Sequence, residues 1–207
     1  MSIINKLSSS LNRRDEVPNQ ELAKQIVSKN DAKGIRELID NLNNKSKDIQ
    51  NDCIKILYEI GERKPSLIAG YARELIALLD HKNNRLQWGA MTAIDTITLE
   101  DPKLVYAALP KILAGADKGS VITKDHAVNI LIKLCSVKVY ANEAFSLLCE
   151  QLAGSLTNQL PMYAERALSV INDKNKARFI KVLSSRLDDI EKDTKRVRVE
   201  KVIKKLS

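Results

Sequence analysis

Aromatic side chains are scarce in this chain of 207 residues: only 4% are Phe, Trp or Tyr, with one Trp and two Phe. Glycine is scarce too, at seven residues. Together these shortages argue against an all-β domain and against a Gly-rich nucleotide-binding domain. No run of 18 apolar residues exists, so no bilayer-spanning helix and no membrane partner is expected. The opening MSIINKLSSSLNRR has no apolar core followed by a cleavage site, so it is not expected to be a secretory signal. The three cysteines, Cys53, Cys135 and Cys149, are odd in number and form no CxxC. They read as buried thiols of a cytoplasmic protein, each acting as a small hydrophobe.

Signals of chemistry are equally thin. Only two histidines occur: His81 is expected in a turn, exposed to solvent, and His126 has no carboxylate or second His at metal-ligand spacing. HExxH, paired CxxC, GxxxxGK[ST], GxGxxG and GxSxG are all absent. The expectation is a protein that is not an enzyme and that needs neither a metal nor a small-molecule cofactor.

What is present is charge, a high apolar content and a repeat. Apolar residues make up 44% and charged residues 29%, enough to build a core. The net charge of +8 is unevenly spread. Residues 31–173 hold 17 basic and 18 acidic residues, whereas residues 174–207 hold 12 basic and five acidic. A nucleic-acid coat protein should be basic along its length, and this chain is basic mainly at one end.

Glu37–Pro65, Glu74–Pro102 and Lys111–Val139 align without gaps at a spacing of 37 residues. Apolar residues then fall in columns: Leu38, Leu75 and Ile112; Cys53, Ala90 and Ala127; Leu57, Ile94 and Leu131; Ile60, Ile97 and Leu134. Each unit carries two apolar runs at i, i+3, i+4 and i+7 around a short polar turn, which predicts two amphipathic helices. The expected pairs are 31–43 with 46–63, 65–80 with 84–99, 102–116 with 121–137, 140–154 with 159–172, and 175–188 with 193–206. A lone pair cannot bury two apolar faces, whereas stacked pairs cover one another. The expectation is an all-α solenoid of about five pairs, with units 31–64, 65–101, 102–138, 139–173 and 174–207. Residues 1–30 are expected to form an N-terminal helical cap, with a helix at 19–29 and an amphipathic stretch carrying Ile3, Ile4, Leu7 and Leu11. The alternative for that stretch is a membrane or partner anchor.

These units resemble HEAT repeats. Leu109-Pro110-Lys111-Ile112-Leu113 is similar to the start of the family's first helix, where proline bends it. Asp80, Leu86, Ala90, Ala93 and Ile94 resemble its turn and second helix. The family's Arg in the second helix is replaced by Gln50, Gln87, Lys124 and Pro161. The resemblance implies a right-handed α-α superhelix whose second helices line a concave face, a shape that specifies no single activity.

On that face, an ideal helical wheel turns Trp88 about 200° from both Leu86 and Ala90. Its column is Asn51, Trp88, Asp125 and Met162, and the next is Lys55, Thr92, Asn129 and Arg166. Trp88 has two readings: the floor of a contact patch, or a ring packed on a neighbouring helix, with Gly89 allowing close approach. The candidate partner-binding residues are Asn51, Lys55, Trp88, Asp125, Asn129 and Arg166. Their mixed charge suits a protein or peptide partner better than a phosphate backbone.

The last helix carries Lys195, Arg196, Arg198, Lys201, Lys204 and Lys205 around a stripe of Val199, Val202, Ile203 and Leu206. The six cations read either as a solvated capping face that suits the helix dipole, or as a salt-sensitive dock for nucleic acid or an acidic tail. The expected function is a non-enzymatic scaffold or adaptor, with a nucleic-acid-associated protein as the alternative. HEAT-like DNA glycosylases offer one enzymatic precedent, but there a Trp is followed four residues on by a catalytic Asp. Here Trp88 is followed at that spacing by Thr92, and the next carboxylate is Asp95.

Overall fold

The computed structural model describes residues 2–207, and among these there are helices and turns but no β-strand. The chain divides into two compact units, Met1–Ala127 and Val128–Ser207, and the division falls inside one helix.

In the first unit, α1 (Val17–Lys29) starts with Pro18 in its first turn and ends on Asn30, whose left-handed backbone (φ 49°) closes the helix. Next come α2 (Ala32–Asp40), capped by the Asp31 carboxylate on the Gly34 N–H, and α3 (Lys47–Arg63), capped by the Ser46 hydroxyl on the Ile49 N–H. The single helix expected over 65–80 is broken into two 3-10 turns, Pro65–Leu67 and Ala69–Tyr71, then α4 (Ala72–Ala77), then a third turn at Leu78–Asp80. Pro65 opens this stretch and Gly70, a poor helix former, interrupts it, so short i→i+3 turns replace a continuous ladder. After α5 (Asn84–Ile97), the helix expected over 102–116 is split into α6 (Pro102–Ala107) and α7 (Leu109–Lys118). Pro110 cannot donate to the carbonyl one turn back, so the helix bends there. Asp101 caps α6 through the Leu104 N–H at 3.0 Å. The helix that crosses the division is α8 (Val121–Cys135).

The second unit contains α9 (Ala141–Gly154), α10 (Leu160–Ala167) with a 3-10 extension over Leu168–Val170, α11 (Lys176–Ser184) and α12 (Asp193–Leu206). Here α12 packs on α10 and α11, and α11 also packs on α9. Phe179 is the largest fully buried side chain of this unit.

Every member of the four aligned columns is fully buried. Burying each Leu or Ile of this kind contributes about 1.5–3 kcal/mol. In the first unit, α3 packs against α1, α2 and α5. Two glycines sit at the α3–α5 crossing. A Cβ on Gly89 would lie 2.7 Å from Ile54 Cγ1, and one on Gly61 would overlap Thr96 Oγ1. Gly61→Ala is therefore expected to lose about 1–2 kcal/mol in urea unfolding, overpacking outweighing alanine's helix preference. An unchanged midpoint would show that the helices can part freely.

The N-terminal stretch is a 3-10 turn at Ile3–Lys6 instead of a helix. Ile3 and Leu7 are buried and the turn packs on α2, where the Ile3 N–H donates to the Glu37 carboxylate. Leu11 is half exposed, so only the first half of the stretch is covered. Among the described residues no helix is long and apolar enough to cross a membrane.

Candidate functional site

The second helices α3 and α5 pack on each other, and together they carry a cluster of charged and aromatic groups. Residues three and four apart share one side of a helix, so Lys55, Tyr58 and Glu59 line up on α3, and Arg85 and Trp88 on α5. The rings of Tyr58 and Trp88 are tilted by 45° with centroids 5.8 Å apart. Lys55 Nζ stands 4.8 Å from the Tyr58 ring centre, and the Arg85 guanidinium 5.5 Å from that of Trp88. Trp88 is half-buried, with its ring against Tyr58 of α3.

Lys55 is placed differently from the expectation. It was a candidate for contact with a partner, but only 8% of its side chain is exposed, and its ammonium already pairs with Glu59 (2.7 Å) and Glu16 (3.0 Å). Glu59 in turn pairs with Arg63, and Glu16 reaches Arg85 at 2.6 Å. The chain Arg85–Glu16–Lys55–Glu59–Arg63 thus ties the segment before α1 to both second helices. An ideal wheel places Lys55 outward because it ignores what other segments lay over it.

Burial alone would raise the Glu59 and Glu16 carboxyls, but hydrogen bonds from Lys55, with Arg63 or Arg85, outweigh it and hold both below the ordinary 4.5. Burial alone would lower Lys55, yet hydrogen bonds to Glu59, Tyr58 and Glu16 raise it above its ordinary 10.5. The carboxylates therefore contribute full stability above pH 4.5 and lose it as pH falls through their depressed values. The lysine contributes fully below pH 10.5 and loses its share as pH rises through its elevated value. Wild-type protein should lose urea resistance below pH 4.5 more steeply than Lys55→Met. Parallel acid limbs for the two proteins would contradict this.

The other candidates separate. Asn51 lies one turn from Lys55 and its side-chain oxygen accepts from Asn83 Nδ2 at 3.0 Å. Asp125 is half-buried on α8, beside His126, whose Nδ1 lies 2.7 Å from Asp95 Oδ2. Asn129 and Arg166 belong to the second unit, where Arg166 Nη1 donates to Asn129 Oδ1 at 3.1 Å across 37 residues, one repeat period. The six residues thus fall as four in the first unit and two in the second.

The basic helix α12 is also corrected in part. Arg198 grips Glu165 with two hydrogen bonds (2.8 and 2.6 Å), which hold that carboxyl below its ordinary range. Lys195 donates to Asn158, and Arg196 pairs with Asp188 and Glu200. Half of the six cations are spent within the fold: Glu165 on α10, Asn158 and Asp188 in turns, and Glu200 on α12 itself supply the acceptors. Lys201, Lys204 and Lys205 are exposed.

Sequence reasoning passed over Glu16, Tyr58, Glu59 and Arg85. Three of them had a signal: Tyr58 and Glu59 follow Lys55 by three and four residues, and Arg85 precedes Trp88 by three. Glu16 had none, because it reaches Arg85 across 69 residues. The same segment borders a polar cavity of about 600 Å³ lined by Ser8, Ser9, Asn51, Asp52 and Arg85 among others. Burial pushes the Cys53 and Cys135 thiols up to about 12, which favours their protonated, less nucleophilic form near neutral pH. Among the described residues no group of three His, Cys, Asp or Glu is disposed to hold a metal ion.

No protein-family model and no curated protein matches the chain in sequence. Solved structures do match it in fold. A designed armadillo repeat protein superposes with a TM-score of 0.65 at 15% identity, over 99% of this chain and 100% of that one. Computationally designed armadillo repeat proteins for modular peptide recognition give 0.68 at 16% identity, over 99% and 98%. A further design, solved in complex with the peptide (KR)4, gives 0.65 at 16% over 91% and 87%. At such identities the likeness defines the fold alone: an all-helical repeat solenoid of the HEAT and armadillo type.

Proposed function

We propose that this protein is a non-enzymatic scaffold or adaptor that takes a peptide segment of a partner protein onto the second-helix face of its first unit. The observation that carries this reading is the half-buried Trp88, held between Tyr58 and Arg85 so that little side-chain freedom remains to be lost on binding. Asn51 and Asp125 flank it as polar contacts. Asn129 and Arg166 are candidate contacts of the second unit taken by itself. Peptide binding by designed proteins of the same fold lends support. Three free thiols support a cytoplasmic setting.

Trp88 is the only tryptophan, so its emission reports on this face alone. Peptides selected on the protein from a displayed library should shift that emission. Trp88→Ala should lower their affinity about tenfold or more, as expected of an interface hot spot, while costing only about 1 kcal/mol of stability through the lost ring contact. Selected peptides that bind wild type and Trp88→Ala equally would refute the reading.

A further inference from the structure

We infer that Lys55 and Arg85 form a receiving site for a carboxylate of an acidic peptide, and that Glu16 is its built-in occupant, displaced when the partner docks. This rests on the Trp88 face being a peptide site and gives that site its charge preference.

The Glu16 carboxylate is forked between two elements: Oε2 lies 3.0 Å from Lys55 Nζ on α3, and Oε1 lies 2.6 Å from Arg85 Nη2 on α5. Glu16 stands at the N-cap of α1, yet its side chain makes no capping bond there. Its carboxylate therefore serves the cations and not its own helix.

The grip is incomplete. Arg85 Nε is buried and has no hydrogen-bond partner. A guanidinium offers parallel donors along its edge, and a carboxylate lying in its plane takes two of them. Glu16, tethered by its own backbone, takes one. A carboxylate arriving on a separate chain is free to take both Nε and Nη2.

Charge points the same way. With Glu16 withdrawn, Arg85 loses its ion-pair partner and Lys55 and Arg63 share Glu59, so these four groups keep an excess of two positive charges beside a cavity that Asp15, Asp48 and Asp52 also line. Tyr58 and Trp88 wall the site with apolar surface, which strengthens a charged contact made there. The occupying segment is anchored at one end, where the Ser9 N–H donates to Asp52 of α3, and is open to solvent nearer Glu16. Asn12 takes a left-handed backbone (φ 55°), Arg13, Arg14 and Asp15 are exposed, and a cavity of about 600 Å³ borders them. Glu16 itself is 44% exposed at its side chain.

The test uses the full chain and a fluorescein-labelled hexaglutamate peptide, with hexalysine as the control, read by anisotropy and by Trp88 emission. Glu16→Gln should bind hexaglutamate about tenfold more tightly than wild type, since the competing internal state is removed. Adding Arg85→Gln should cancel the gain, which separates this site from the exposed lysines of α12. Should Glu16→Gln fail to fold, Glu16→Asp, which draws the carboxylate back by one methylene, should still tighten binding about threefold by the same population argument. No tightening in a folded variant overturns the inference, as does a gain that survives Arg85→Gln. If hexalysine alone perturbs Trp88, the peptide face stands and the acidic preference falls. If neither peptide perturbs Trp88 in any variant, both fall.

Discussion

Glu59→Ala is expected to cost about 3 kcal/mol, in the range found when one member of a buried ion pair is removed. Glu59 and Lys55 are exposed by only 9% and 8% at their side chains, so both gave up most of their hydration on folding. Glu59 repays this to Lys55 at 2.7 Å and to Arg63. Alanine would leave Lys55 with Glu16 as its remaining carboxylate, on a segment that is itself half exposed. Lys55→Met should cost less, because it removes the buried ammonium and leaves Glu59 its second partner, Arg63. Urea unfolding of the two variants checks the order. A loss below about 1 kcal/mol for Glu59→Ala, the size of a surface pair, would mean that the Lys55 ammonium reaches water.

Phe179→Ala should cost about 3–5 kcal/mol, the range for truncating a buried aromatic ring. Phe179 is fully buried on α11, a helix that packs on α9 and α12. Truncation leaves a void that short helices tied by polar turns close only in part. Its neighbour supplies the control. Arg178 is exposed, lies 5.9 Å over the Phe145 ring and donates to Ser146, so Arg178→Ala should cost under about 1 kcal/mol. Equal losses for the two would place Phe179 outside the core. Thermal or urea unfolding of both variants decides this.

The aligned columns were readable because burial of a helix stripe is a local property with a period. Leu57, Ile94 and Leu131 stand one repeat apart and are all fully buried. Turn chemistry was readable in part for the same reason: Asp101 before Pro102 announces a helix start, and it caps α6. The break of 65–80 into turns was less so. The apolar spacing of Leu75, Leu78 and Leu79 suits a helix, and α4 with its closing turn forms there, whereas backbone preference at Pro65 and Gly70 breaks the stretch before it into turns.

The site divides along the same line. Trp88 could be picked out, since one Trp opposite an apolar stripe stands out on a wheel. Its setting could not, because Tyr58 belongs to the preceding repeat and Glu16 to a segment outside the repeats altogether. Arg198 shows the same limit: its charge is plain in the sequence, but Glu165, which neutralises it, lies 33 residues away on α10.

Sequence by itself determined the helical repeat, its period and its buried residues, since each depends on contacts between neighbouring turns and on apolar surface leaving water. Tertiary structure alone decided which charges remain available to a partner. An ion pair needs only that two groups meet in space, and the chain meets itself across Glu16, Lys55 and Arg85 at separations no periodicity encodes.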